Sequence, residues 1–268
     1  GSLNAGTGND TLNFAAYATG LDIFLVGLGA KDGFVGSISN FQFANLNTLI
    51  GSAFSDTLTG LDAAATWRIN LTTNTYTSAG ITLTFSAIEN LVGGSNVDDF
   101  IFANGASIGG TINGSGGADL LNYSAYTSAV DVNLSSGVAT GTTGVVGIEN
   151  VTGGSGDDDL TGDGNDNLLT GGPGDDIYLL MADWGLDTII EKLAEGLDQV
   201  DFSAVGMALN FTFAVGSVMV SSGSSILRHI GTNGTNHIET YFGGTNDDRF
   251  TFDPFAVVAG DLHGGPGD

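Results

Sequence analysis

Residues 153–179 read GGSGDDDLT, GDGNDNLLT and GGPGDDIYL, three nonapeptides joined without a gap from Gly153 to Leu179. Each opens with glycine and small residues. Each carries a carboxylate or an amide at its sixth place, Asp158, Asn167 and Asp176, and an apolar residue at its eighth, Leu160, Leu169 and Tyr178. Glycine admits the partly left-handed backbone that turns carbonyls toward an ion. The sixth-place side chain adds hard oxygen ligands, which suit Ca2+. The eighth-place residue starts a short strand and points inward. Two nonapeptides make one coil, so turns two units apart stack on the same side. Asp158 and Asp176 are therefore expected to frame one calcium site between stacked turns.

At these residues the chain resembles the RTX family, the haemolysin-type calcium-binding nonapeptide repeat, whose pattern is G-G-x-G-x-D-x-U-x with U apolar. The resemblance implies an all-β fold, a parallel β-solenoid or β-roll with calcium in its glycine–aspartate turns, in a protein exported by bacteria. It carries metal-ligand roles to Gly153, Gly154, Gly156 and Asp158 and to Gly171, Gly172, Gly174 and Asp176. The middle unit departs from the pattern, with Asp163 in place of the second glycine, Asn165 in place of the third and Asn167 in place of the aspartate. A flexible acidic linker does not account for the stretch, because linkers do not place apolar residues at a fixed period.

Composition narrows the class. Of 268 residues 44 are glycine and 3 proline, yet 41% are hydrophobic, too many for a disordered tract. Five Lys plus Arg face 30 Asp plus Glu, a net charge of −25. That balance argues against nucleic acid or an anionic membrane surface as partner. It also predicts self-repulsion that divalent cations relieve. There is no cysteine, which excludes a disulfide scaffold and thiolate metal sites. No apolar run reaches membrane-spanning length. The chain opens on Gly-Ser rather than Met, which leads us to expect a fragment, a processed form or a tagged protein.

The same turn recurs outward from the central stretch. Ala5–Leu12 (AGTGNDTL) places Asp10 at sixth place, Gly51–Leu58 (GSAFSDTL) places Asp56, and Gly93–Phe100 (GGSNVDDF) places Asp98. Gly114–Leu121 (GSGGADLL) places Asp119 and Gly243–Phe250 (GGTNDDRF) places Asp248, while GGPGD from Gly264 begins a further unit. Asp10, Asp98, Asp119 and Asp248 join the candidate metal ligands. A second theme lies between: TLNFAAY, LLNYSAY and QVDFSAV, followed downstream by AIENLVGGS, GIENVTGGS and HIETYFGGT. Apolar residues alternate at Leu21, Ile23 and Leu25, at Ile81, Leu83 and Phe85, at Val130, Val132 and Leu134, and at Leu209, Phe211 and Phe213, which is the strand period. The window TIIEKLAE, Thr188–Glu195, has a helix-like look, but strand and loop are preferred there. With no shift of composition along the chain, residues 1–268 are expected to form one continuous solenoid.

Other chemistries fare worse. Asp187, Glu191, Glu195 and Asp198 form a further acidic set, either a lateral calcium site on a loop or a solvated face; the solvated face is preferred, since charge runs usually meet water. GASIG, Gly105–Gly109, matches the nucleophile-elbow pattern, but no helix is expected after it. His229, His237 and His263 are isolated, and His237 is expected on a surface turn. There is no HExxH and no phosphate loop. Thr7-Gly-Asn9 is a lone instance of an ice-binding pattern. The expected function is a non-catalytic, calcium-stabilised segment of a secreted bacterial surface protein, an adhesin stalk or extracellular fibre that associates head to tail. The alternative is a β-helical enzyme or binding domain for acidic polysaccharide, with surface glycan as partner.

Overall fold

The computed structural model describes residues 1–192, 195–231 and 237–267, so Leu193 and Ala194 of the TIIEKLAE window and Asp268 of the tail lie outside the described residues. Among those described there is no helix, and the chain is all-β, built largely from short strands paired in parallel. It divides into two compact units, one of Gly1–Asn122 with Ala139–Ile148, the other of Tyr123–Val138 with Glu149–Asp268.

In the first unit the strand Thr57–Thr59 pairs in parallel with Asn90–Val92, which pairs with Thr111–Asn113 and then Gly144–Val146. The register stacks Leu58, Leu91, Ile112 and Val145, all of them buried. On the other sheet Ala65–Ile69 pairs in parallel with Asp98–Phe102, which pairs with Leu120–Asn122. Trp67 fills the core between these sheets. Its ring lies parallel to Phe100 at 5.6 Å and meets Tyr76 edge-on at 4.4 Å.

The second unit repeats the scheme. Asp131–Asn133, Asp159–Thr161, Ile177–Leu179, Asp198–Asp201, Ile238–Phe242 and Asp261–His263 lie side by side in parallel. Val132, Leu160, Tyr178, Val200, Tyr241 and Leu262 line up along one row. Val151, Leu169, Ile189 and His229 line up along the opposing sheet. Period two sends every second residue of each short strand inward, so one apolar residue per nonapeptide builds the core. Leu160, Leu169 and Tyr178 are fully buried as the sequence predicts; of the aromatic residues in the second theme, Tyr123 and Phe202 are fully buried too, whereas Phe14, in an outermost coil, is only half-buried.

Three antiparallel meanders interrupt the parallel coils: Asp22–Leu28 with Phe34–Ile38 and Phe41–Leu46, Ala65–Ile69 with Asn74–Ser78 and Ile81–Ser86, and Asn210–Ala214 with Ser217–Ser222 and Ser225–Gly231. Four of their six turns are two residues long. Ala79 and Gly80 both hold positive φ, 50° and 78°, the mirror-image turn whose twist suits a hairpin. His237 is buried, not on a surface turn as the sequence suggested. It leads directly into Ile238, itself fully buried, where the pairing register shifts between Asp198 and Gln199. Ser107 of GASIG lies exposed in an irregular turn with no helix after it.

Candidate metal centre

The glycine–aspartate turns stack as the nonapeptide spacing predicts. Gly172 and Gly174 have φ of +102° and +138°, and a Cβ on Gly174 would run into the Gly156 carbonyl of the neighbouring turn. Only glycine tolerates both conditions. At sixth place the carboxylates turn inward and are fully buried at Asp158 and Asp176, while the fifth-place Asp157, Asp166 and Asp175 face water.

The buried carboxylates form a ladder of charge-assisted hydrogen bonds. The Asp158 amide donates to Asp176 Oδ1 at 2.8 Å, the Asp176 amide to Asp198 Oδ1 at 3.0 Å, and the Asp198 amide to Glu239 Oε2 at 2.8 Å. Asp158 itself is filled: Oδ1 accepts from Val130 N at 2.7 Å and Oδ2 from Gly154 N. Asp176 and Asp198 are not, for Oδ2 of each is enclosed and lacks a hydrogen-bond partner.

Glu191 completes the cluster. It ends the strand Leu186–Glu191 and is fully buried. Its Oε1 accepts the Tyr178 hydroxyl, and its Oε2, like the two aspartate oxygens, has no partner. Oxygens of Asp176, Glu191 and Asp198 lie within 4.8 Å of one another. Burial pushes Asp176 up to about 7, Glu191 to about 8 and Asp198 to about 6, and the neighbouring carboxylates push the same way. An unsatisfied buried polar atom costs about 1–3 kcal/mol, more when charged. Three together are a large debt against a typical domain stability of about 5–15 kcal/mol. Either protons or a cation must settle it.

The donor set decides which cation. It is all oxygen, without histidine or thiolate, which suits a hard ion and disfavours zinc. Three carboxylates more than balance a divalent charge, and Ca2+ accepts the flexible oxygen geometry that a turn supplies where Mg2+ does not. Asp176, Glu191 and Asp198 would hold it, with Tyr178 fixing the far oxygen of Glu191.

The acidic set Asp187, Glu191 and Asp198 was expected to be a solvated face; all three are instead fully buried. The period explains the difference. ADWGLDTII, from Ala182, is a degenerate nonapeptide with Asp187 at sixth place and Ile189 at eighth, and the same spacing puts Asp198 at sixth place with Val200 at eighth. The two-residue insertions before these units hid the repeat. Only Glu195 behaves as a surface acid, part-exposed and paired with Lys192 at 3.3 Å. Asp187 caps the Asn167 amide through Oδ1 at 2.9 Å, leaves Oδ2 without a partner, and is pushed up to about 7 by burial.

The remaining sequence candidates sit in separate turns. Asp98 takes Trp67 Nε1 on Oδ1 at 3.0 Å and Gly94 N on Oδ2 at 2.8 Å, and its own amide donates to Asp119 Oδ1 at 2.7 Å. Asp248 accepts Leu209 N at 2.9 Å and Gly244 N at 2.7 Å. Asp10 lies part-exposed in the N-terminal turn. Glu191 was visible to sequence reading only as one acid in a charge run, because it falls outside the nonapeptide frame.

The family model of the peptidase M10 serralysin C-terminal domain matches residues 108–256, more than half of the chain and most of the second unit. No curated protein matches the sequence. Serralysin C-terminal domains are RTX-type repeat domains, non-catalytic β-rolls of secreted proteins that bind calcium. The stacked glycine turns and the buried oxygen cluster are what such a domain requires, and the chain belongs to the serralysin C-terminal family.

Proposed function

We propose that this chain is a calcium-stiffened structural segment of a secreted bacterial surface protein, serving as an adhesin stalk or a self-assembling extracellular fibre. The observation that carries the calcium part is the trio of enclosed oxygens on Asp176, Glu191 and Asp198 without hydrogen-bond partners. Asp158, Gly153, Gly154 and Gly156 with Gly171, Gly172 and Gly174 form the turns that shape this place. Asp10, Asp98, Asp119 and Asp248 are further candidate ligands in turns of the same pattern. One continuous solenoid through both units belongs to this reading, because both are built from the same nine-residue turns.

The stalk or fibre role draws on the outermost strands. Phe252, Phe255 and Val257 near one end of the chain and Leu3 near the other are exposed. Open strand edges bearing apolar residues pair with whatever edge is offered. A groove of about 600 Å³ lined by Phe24, Val26, Leu28, Leu61 and Asp62 carries no Lys or Arg, which gives no support to an acidic polysaccharide ligand. Calorimetric titration with Ca2+, paired with electron microscopy in calcium, tests both parts. Saturable uptake and end-to-end rods are expected; no uptake refutes the metal role, and a stable monomer in calcium refutes the fibre role.

A further inference from the structure

We propose that the first unit carries a docking groove for an extended, basic peptide segment of a partner protein, which adds as a strand to the open edge of Leu25–Leu28. The groove shares no residue with the Asp176 cluster, so the proposal stands apart from the calcium reading.

The open edge arises where two neighbouring strands part. Asp22–Leu28 pairs in parallel with Thr57–Thr59, but only through Asp22, Ile23 and Phe24. At Gly60 the partner strand leaves the sheet. Gly60 passes so close to two rings that a Cβ there would stand 2.9 Å from Trp67 and 3.0 Å from Tyr76. The Tyr76 hydroxyl then accepts the Leu61 amide at 2.8 Å and holds the chain away. Leu25–Leu28 runs on, paired on one side with Phe34–Ile38. Among the described residues no strand pairs with its other side.

A groove of about 600 Å³ lies where Thr57–Thr59 would have continued, walled by Thr59–Ala63 and by Ser78 and Ala79 at a hairpin tip. All five consecutive residues Phe24–Leu28 line it. Side chains alternate across a strand, so a cavity over one face would touch only every second residue. Contact with all five places the groove along the strand's edge, beside the backbone groups that the Phe34–Ile38 pairing does not use. Phe24, Val26 and Leu28 are exposed there. Val26 is the extra residue of a β-bulge and is 65% exposed, and a bulge re-aims the side chain that it carries. The segment LVGL has neither the lysine nor the proline that keeps natural edges from pairing.

Charge selects the occupant. Asp62 is the one charged residue lining the groove, it is exposed, and exposed Asp22 opens the same strand. The chain as a whole carries −25. A peptide that alternates apolar with lysine or arginine side chains meets each feature: its main chain pairs with the edge, its apolar side chains cover Phe24, Val26 and Leu28, and its cations face Asp62. The field of the chain draws such a peptide in and repels an acidic one.

Fluorescence anisotropy of the full chain in millimolar calcium and physiological salt, with a short labelled peptide of alternating lysine and valine, tests this. Saturable binding is expected. Val26→Lys and Leu28→Lys should each weaken it by about tenfold or more, while Phe255→Lys, an equal change of charge on the second unit, should change it by less than about twofold. Val26 already meets water, so its variant keeps the fold. The same peptide with alternate backbone nitrogens methylated keeps its charge but cannot pair as a strand, and should bind at least about tenfold more weakly. Equal binding of the methylated peptide, or indifference to Val26→Lys, would show that charge alone holds the peptide and overturns the proposal. Absence of saturable binding overturns it too, as does tighter binding of an alternating glutamate and valine peptide. Self-association that Val26→Lys abolishes would make a second copy of this chain the occupant and rule out the basic partner. None of these readings depends on calcium uptake at the Asp176 cluster.

Discussion

Tyr178 and Glu191 meet inside the second unit, the tyrosine hydroxyl donating to Glu191 Oε1 and at the same time accepting the Gly171 amide at 2.5 Å. Tyr178 is the eighth-place residue of its nonapeptide, where the pattern asks only for an apolar side chain. Its ring serves the core, and its hydroxyl fixes which oxygen Glu191 turns toward Asp176 and Asp198.

Tyr178→Phe keeps the ring and loses that anchor. We expect calcium affinity to fall about tenfold, because a ligand-orienting partner outside the metal shell is worth about 10–100-fold. Titration calorimetry reads it; an affinity unchanged within twofold would show that Glu191 is not a ligand or is oriented by something else.

Asp176→Ala and Asp198→Ala should each reproduce most of the loss of melting temperature caused by chelator, since each removes one of three charged ligands. Asp166→Ala, exposed at fifth place, should move it little. Asp158→Ala belongs to a different class: its oxygens cap Val130 and Gly154, so it should destabilise by about 1–3 kcal/mol both with and without calcium. A loss for Asp158→Ala that appears only in calcium would contradict the structure.

Without calcium, stability should fall as pH rises. In the unfolded chain these carboxyls titrate near 4. In the folded chain Asp198 sits at about 6, Asp176 and Asp187 at about 7 and Glu191 at about 8. Below about pH 4 both states hold their protons, and the full stability is present. Between about 4 and 8 the unfolded chain binds fewer protons than the folded one, so stability drains away and levels off above about 8. Melting scans in chelator at pH 5 and pH 8 should place the higher midpoint at pH 5. Calcium should reverse the order, because it binds the deprotonated cluster. A midpoint in chelator that rises toward pH 8 would disprove the burial of these groups, and Glu191→Gln should flatten the profile.

Gly174→Ala should destabilise by about 2 kcal/mol or more, combining a strained φ with a clash against the Gly156 carbonyl. Gly80→Ala, with positive φ but open space around it, should cost about 1 kcal/mol. Equal losses for the two, measured by denaturant unfolding, would mean that turn stacking contributes nothing.

Much of this was legible in the sequence. The period of nine fixed the inward row at Leu160, Leu169 and Tyr178 and the buried carboxylates at Asp158 and Asp176. What stayed hidden has physical causes. The insertions ahead of Ala182 and Leu193 shifted the frame, so Asp187 and Asp198 looked like members of a surface charge run. Glu191 enters the cluster from the opposing sheet, and no local spacing records a partner reached across the core. The meanders were foreshadowed only by Ser-Ala-Gly at residues 78–80 between two alternating runs.

The amide-to-carboxylate ladder has a sense of travel. The amides of Asp56, Asp98, Asp158, Asn167, Asp176 and Asp198 bond to Glu89, Asp119, Asp176, Asp187, Asp198 and Glu239 in turn. In every pair the acceptor comes later in the chain. Each of these amides therefore finds its carboxylate only once the following coil has been laid down, so every coil is completed by its successor and none by its predecessor in this set of bonds.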